Sequence, residues 1–277
     1  MRGDLPTHPE LLDWLAASFI GLSHGDASEV KAWSRKSLIK LIVMSATYRQ
    51  SSSLRSDLLE VDPQNQFLAR QNRLRVEGEI VRDISLDVAG LLSRSIGGPS
   101  VFPSLPPGVA ELSYAGNFKW TLSEGADRYR RGMYTFFKRT SPHPNLITFD
   151  CPDANLTCVD RNRSNTPLQA LIALNNDSFA EAARGLAKRA LQLKCENTAL
   201  RVETAFRLCL ARSPNEYEKQ QLLALLDNSQ HWYSDHVEDA QSLVANMAIK
   251  GYTPAEIAAW VATVRILINL DEFITRE

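Results

Sequence analysis

The chain has no Cys-x-x-Cys-His string, so the two thiols and axial histidine that fix a c-type haem are missing, and no haem is expected on this chain itself. It has no Gly-x-Ser-x-Gly turn to present a nucleophilic serine, and neither a phosphate loop nor a Gly-x-Gly-x-x-Gly fingerprint. There is no excess of one charge: 31 Lys and Arg face 32 Asp and Glu, for a formal net charge of -1. That balance argues against a general nucleic-acid or membrane-surface partner, which a basic excess would serve. No apolar run approaches the roughly 20 residues of a membrane span, and the stretch Leu38–Met44 is broken by Lys40. The polar first ten residues contain no apolar core of a secretory signal.

With 277 residues the chain can bury a large core, as one domain or as close lobes. The pattern divides into a helical segment over 1–98, a loop-rich segment over 99–165 and a second helical segment over 166–277. The four cysteines fix no redox compartment; Cys151 and Cys158 could bridge if the loop between them doubles back, whereas Cys209 reads as a small core residue.

Thr7-x-x-Glu10 predicts a capping box, with Pro9 in the first turn and Leu11, Leu12, Leu15, Phe19 and Leu22 along one helix face. Gly21 to Gly25 predicts its stop. A second helix is expected over Val30–Arg49, with Leu38, Leu41, Ile42 and Ser45 on one face, and Trp14 and Trp33 filling the core of the pair. A third, carrying Ile80, Ile84, Val88, Leu91 and Leu92, follows Arg70, Arg73 and Arg75, which read as a solvated connector with an anion site as the alternative. Gly97–Gly108 holds four prolines and three glycines and predicts a long loop, continued without clear period through Tyr114–Glu124. The alternation over Gly132–Arg139 predicts a strand, paired as a hairpin with Asn145–Phe149 through the turn Ser141–Pro144. Beyond it the chain is helical again. Starts are expected at Thr166-Pro167-Leu168-Gln169, Ser178-x-x-Glu181, Ser213-Pro214-Asn215-Glu216 and Thr253-Pro254-Ala255-Glu256. Leu168, Leu171 and Ile172 would form one apolar face, and Phe179, Ala182, Ala183, Leu186, Ala187 and Ala190 another. Val202, Ala205, Phe206 and Cys209 mark a third, Tyr217, Leu222, Leu225 and Leu226 a fourth, and Trp260, Val264, Ile268 and Phe273 the last. The expected fold is mainly α, an irregular multi-helix bundle with one small β-hairpin and long loops.

Chemistry-bearing residues concentrate between Asp127 and Arg189. Asp150, Cys151, Asp153, Cys158 and Asp160 fall within eleven positions, and carboxylates suit calcium while mixed thiolate and carboxylate suit zinc. The weak metal candidates are Asp150, Asp153 and Cys158; the spacing matches no defined motif, and the plainer alternative is an Asx-rich turn that satisfies backbone amides. Asp150 and Asp153 are also the candidate pair for general acid and base work on a sugar. Arg128, Arg130, Arg131, Arg161 and Arg163 could recognise carboxylate or sulfate groups, or else tie loop to helix through internal ion pairs. Asn165, Thr166 and Gln169 open a helix whose N-terminus can receive an anion, and Trp120 is the tryptophan best placed in irregular chain to meet a ligand. All of these are expected to meet at the mouth of the Thr166 helix.

Six strings carry a family resemblance in order along nearly the whole chain: Pro6–Ala16, Ser45–Ser51, Arg130–Tyr134, Phe149–Asp153, Asn165–Leu171 and Asn269–Phe273. They resemble the C-terminal domain of unknown function, family fifteen-fifty-three, of large planctomycete-type cytochrome-c-like proteins. The resemblance implies an extracytoplasmic setting, a haem only in an upstream domain, and a chain shortened at its N-terminus. It implies as partners the upstream haem-binding and helical domains. It supplies no catalytic mechanism. Two functions stand at this point: a non-catalytic module that docks to such a domain or binds an acidic glycan, and a hydrolase acting on acidic or sulfated polysaccharide through Asp150 and Asp153.

Overall fold

The computed structural model describes residues 5–22, 30–106, 108–109, 119–158 and 160–276. Parts of the expected stop at Gly21–Gly25 and of the stretches Gly97–Gly108 and Tyr114–Glu124 lie outside them. Compactness divides the chain after Leu74, inside the first expected helical segment, leaving a second unit of Arg75–Arg276.

The first unit holds two helices, α1 (Pro9–Ile20) and α2 (Arg35–Met44), in contact with each other. The α1 start differs from the expected box. His8 is the N-cap and makes no side-chain cap bond, because the Thr7 hydroxyl is turned onto His8 Nδ1 at 2.9 Å. Gly21 closes the helix at φ 82°, a left-handed conformation that glycine adopts without a Cβ penalty. α2 is shorter than expected, capped by Ser34, whose hydroxyl accepts the Ser37 N–H at 3.3 Å. The pair is a thin one. α1 buries only Ser18 and α2 buries nothing. Trp33 packs edge-on against Phe19 at 5.4 Å yet stays 71% exposed, so the tryptophans do not fill a core as expected. A turn follows, in which the buried Asp62 carboxylate accepts the Gln66 and Phe67 amides at 2.7 and 2.8 Å.

The second unit carries the core. Its helices are α3 (Gly78–Val88), α4 (Pro144–Thr148), α5 (Pro167–Asn175), α6 (Asp177–Gln192), α7 (Thr198–Leu210), α8 (Glu216–Asp235), α9 (Val237–Val244), α10 (Pro254–Asn269) and α11 (Asp271–Ile274). α10 lies at the centre, packed on α5, α6, α7, α8 and α9. Ile257, Ala258, Ala259, Trp260, Val261, Thr263, Val264, Leu267 and Ile268 are all buried, which covers most of the helix surface and leaves Ile266 exposed. Small residues let the next helix approach: Ala182, Ala183, Ala187 and Ala190 of α6 are fully buried. The caps follow the chemistry of the sequence. Thr253 and Glu256 form a reciprocal capping box on α10. On α8 the box falls two residues later than expected, on Asn215 and Glu218, because Asn215 supplies the better-placed side-chain acceptor. Asn176 separates α5 from α6 and caps the latter through the Ser178 amide at 3.0 Å.

The fold is the mainly helical one expected, with a single small two-stranded sheet among the described residues, but that sheet is not the expected hairpin. It joins β1 (Leu74–Arg75) to β2 (Thr275–Arg276). Gly132–Tyr134 is a 3-10 turn, and the following extended residues bridge Val101 in parallel instead, with the Phe136 amide on the Val101 carbonyl at 2.8 Å. Asn145–Phe149, the expected partner strand, lies largely in α4. Pro144 at the first helical position and the His143 ring, which accepts the Asn145 amide at 3.3 Å, start a helix there. Of the expected apolar face on α5, Ile172 packs on the core but the two leucines do not. Leu168 and Leu171 are each 56% exposed, while Gln169 is buried for its hydrogen bonds. Tyr217 is likewise exposed, and only Leu222 and Leu226 of its face are buried.

Gly132 is pressed against the start of α3. A Cβ there would stand 2.5 Å from the Glu79 carbonyl oxygen and 2.7 Å from its Cα, backbone that cannot swing aside. Gly132→Ala is therefore expected to cost about 1–3 kcal/mol, the usual range for overpacking, measured by urea denaturation; wild-type stability in that variant would show that the approach is looser.

Candidate functional site

The polar residues of the second unit are organised around Asp150. It follows α4 with φ 59°, a left-handed conformation that aspartate tolerates better than most residues. This turn points its carboxylate back at the chain entering α5. Oδ2 accepts the Ser164 amide at 2.7 Å and the Ser164 hydroxyl at 2.8 Å, and it also accepts a hydrogen bond and ion pair from Arg75 Nη2. Arg75 is buried. Its Nε donates to the Ser164 carbonyl, Nη1 to the Val76 carbonyl at 2.6 Å and Nη2 to the Phe149 carbonyl at 3.3 Å, and it lies 5.7 Å from the Phe149 ring centre. Gln169, 1% exposed, completes the arrangement. Its Oε1 accepts the Thr166 amide at 3.2 Å, and its Nε2 donates to the Thr148 carbonyl at 2.9 Å and the Ser164 hydroxyl at 3.1 Å. One guanidinium, one carboxylate and one amide thus tie β1, the end of α4 and the mouth of α5 together. Asn165 joins from the side, donating to Asp271 at the start of α11.

Of the residues expected to meet at the Thr166 helix, the structure brings together Asp150, Thr166 and Gln169, joined by Ser164, which the sequence did not single out. The arginines go elsewhere, each to a carboxylate of its own. Arg163 meets Glu77 at 2.9 Å, Arg161 meets Glu79 at 3.0 Å, and Arg131 meets Asp83 at 2.7 Å. Arg128 meets Glu181 of α6 at 3.0 Å, beside the Tyr129 hydroxyl at 2.8 Å. Glu77, Glu79 and Asp83 line the first turns of α3, so this one helix gathers most of the loop arginines. Arg130 is the exception: buried, it donates to the Pro99 carbonyl at 3.0 Å and to the Gly97 carbonyl, and its guanidinium stacks 3.8 Å from the Tyr134 ring centre.

The remaining candidates lie apart from Asp150 in role. Asp153 is exposed and accepts the Asn155 amide and side chain at 3.0 and 3.1 Å, an Asx turn. Cys158 is exposed and Cys151 half-buried, and both are free thiols; Cys158 donates to the Asp160 carbonyl at 3.0 Å and Cys151 to Glu79 at 3.6 Å. Burial, then the Glu79 charge, pushes the Cys151 thiol up to about 11, which keeps it protonated at neutral pH. Among the described residues no group of three His, Cys, Asp or Glu side chains is arranged to hold a metal ion. Trp120 spends its indole N–H on the Pro103 carbonyl at 2.8 Å and packs with Phe102 and Phe136 at ring distances of 5.2 and 6.3 Å.

Sequence reasoning missed Arg75, taken for part of a solvated connector, and the acidic series of α3. A usable signal existed for the latter: Glu79 and Asp83 are four apart and share a helix face. Nothing local distinguishes Arg75 from Arg70 or Arg73.

Desolvation pushes the Asp150 carboxyl up, but the Ser164 amide and hydroxyl, and then Arg75, outweigh it and hold the group below its ordinary value. A carboxylate with a depressed folded-state pKa contributes stability that is present above its unfolded value and is lost as the pH falls through the folded one. Replacing Asp150 by alanine leaves Arg75 buried without its counter-charge, so Asp150→Ala is expected to lower unfolding free energy by about 3 kcal/mol at neutral pH. It should also flatten the loss of stability with acid below the ordinary carboxylate range. Asp153→Ala should leave the neutral-pH denaturation midpoint where it is, and equal effects of the two variants would refute the assignment.

The family model described as "Protein of unknown function (DUF1553)", PSD1, matches residues 1–226. No curated protein and no solved structure matches the chain. With the match covering most of its length, the chain belongs to the DUF1553 family.

Proposed function

We propose that the chain is a non-catalytic binding or docking module of an extracytoplasmic, cytochrome-c-like multidomain protein. The observation that carries this is the commitment of Asp150. A general base needs a lone pair free to take a proton, and a general acid needs a raised pKa. Asp150 instead accepts Ser164 twice and Arg75 once, and it is held in its charged form. Asp153, its expected catalytic partner, is an exposed turn residue. The loop arginines, which an acidic glycan would need free, are paired with Glu77, Glu79, Asp83 and Glu181. Such mutual neutralisation supports a scaffold more than a polysaccharide hydrolase.

A docking role is supported by the first unit. Leu12, Trp33, Ile39 and Met44 are 56%, 71%, 57% and 59% exposed, an unusual density of large apolar side chains on two short helices and the turn before the second. The partner in this reading is a haem-bearing domain of the kind found in cytochrome-c-like relatives, and the haem belongs to that domain.

The test has two arms. Incubated with sulfated and uronic polysaccharides, the chain should release no reducing ends; turnover lost in both Asp150→Asn and Asp153→Asn with glycan binding retained would establish the hydrolase instead. Titrated with a separately expressed c-type haem domain from a protein of this family, the chain should bind, and Trp33→Ser with Ile39→Asp should weaken that binding at least tenfold; an unchanged affinity would remove the first unit from the interface.

A further inference from the structure

A small cavity lies within the second unit, away from the Asp150 carboxylate, between α3, α4 and α6. It admits the centre of a water molecule over about 20 Å³. One water needs roughly 10–15 Å³ of such space, so the cavity has room for a single water molecule and for nothing larger. Leu86, Phe149 and Phe179 wall one part of it, and Arg82, Thr135 and Asn145 line another.

Two polar atoms of that lining are left without a protein partner. The Thr135 hydroxyl, on a residue 8% exposed, has none among the described residues, and neither has the buried Asn145 Oδ1. Turning the Asn145 amide over does not help. Asn176 Oδ1 is fixed as an oxygen because it caps the Ser178 amide at 3.0 Å. Asn145 must therefore meet it with Nδ2, also at 3.0 Å, and its own oxygen is the atom left over. The other polar groups of the lining are already engaged. Arg82 donates to the Arg128 carbonyl at 2.8 Å and the Arg130 carbonyl at 3.4 Å. His143 uses both ring nitrogens, on the Ser104 carbonyl and the Asn145 amide, and burial pushes it down to about 4, so it stays neutral. The Ser178 hydroxyl pairs with that of Ser104 at 3.3 Å. A buried hydroxyl and a buried acceptor on the lining of a water-sized space are the conditions that favour an internal water, since buried polar groups are seldom left unpaired.

We propose that this cavity is a binding site for one structural water molecule, which donates to Asn145 Oδ1 and shares a hydrogen bond with the Thr135 hydroxyl. The two residues belong to different stretches of chain. Thr135 lies on the extended segment that bridges Val101, and Asn145 lies in the first turn of α4. The water joins them where the protein supplies no side-chain bond of its own, so the loop after Gly132 is tied to α4 through a solvent molecule. The apolar wall of Leu86, Phe149 and Phe179 offers that water no other partner, which leaves these two groups to hold it. This reading is independent of the docking role, since it rests on none of the residues of the first unit.

The sign of one substitution separates a hydrated cavity from a dry one. Thr135→Val keeps the side-chain shape and suits extended backbone, so the variant should fold. In a dry cavity the hydroxyl is an unpaired buried group, and exchanging it for a methyl raises stability; in a hydrated one the exchange removes a bond to the water and lowers it. The full chain carrying Thr135→Val is expected to melt about 2–4 °C below wild type, the shift that losing one net hydrogen bond produces at this size. A melting temperature unchanged or raised would overturn the proposal. The wild-type chain gives the direct measurement. A high-resolution crystal structure should show one ordered water within hydrogen-bonding distance of both Thr135 Oγ1 and Asn145 Oδ1. A map that resolves other internal waters but has no density at this position would overturn the proposal whatever the variant does.

Discussion

The ion pair between Arg75 and Asp150 is the constraint on which the middle of the chain depends. A buried guanidinium is costly unless its donors are used and its charge is met, and here four oxygens from Ser164, Val76, Phe149 and Asp150 do both. Because those oxygens come from separate stretches, the pair fixes where the loop after α4 turns and where α5 begins. The left-handed backbone at Asp150 is the local strain that this arrangement tolerates. Arginine suits the position because its fork can serve several acceptors in one plane, which lysine cannot.

Around that pair the loop from Gly125 to Ser164 behaves as a belt laced to α3. Arg128, Arg131, Arg161 and Arg163 each take a carboxylate from α3, its N-cap Glu77 or α6. Each of these partly exposed pairs contributes little alone, since solvent screens it. Their number, and the ties of three of them to α3 and its N-cap, set the register of a long segment with little regular structure. A region so rich in functional-looking side chains therefore uses most of them to hold itself in place. On the interior face of the same belt, Thr135 and Asn145 line a small cavity together with Arg82 of α3.

Much of the helical framework could be read from the sequence because it rests on local rules. Proline after Thr253 or Thr166 and alanine at helical spacing in α6 are short-range signals, and the structure follows them. Some failures are local, such as the shifted cap of α8, but the larger ones involve more distant partners. Gly132–Arg139 alternates like a strand, but its partner is Val101, and only the fold brings that residue alongside. Leu168 and Leu171 of α5 stay outside because Gln169 is drawn inward by Thr148 and Ser164, a demand that periodicity does not encode. At the site, the role of Asp150 as a focus was legible from the crowding of charged residues near it. Arg75, 75 positions away in sequence, was not, since its importance lies wholly in what it reaches.

The central place of α10 in the core bears on how this family's boundaries are drawn. The family match ends at residue 226, inside α8, whereas the helix that α5, α6, α7, α8 and α9 share runs from Pro254 to Asn269. A recombinant fragment trimmed to the matched residues would lose the hub of its own interior and leave Phe206, Leu222 and the alanine row of α6 facing water. The compact second unit extends through α11, whose Ile274 carbonyl holds the Val76 amide at 2.8 Å beside the strand that supplies Arg75.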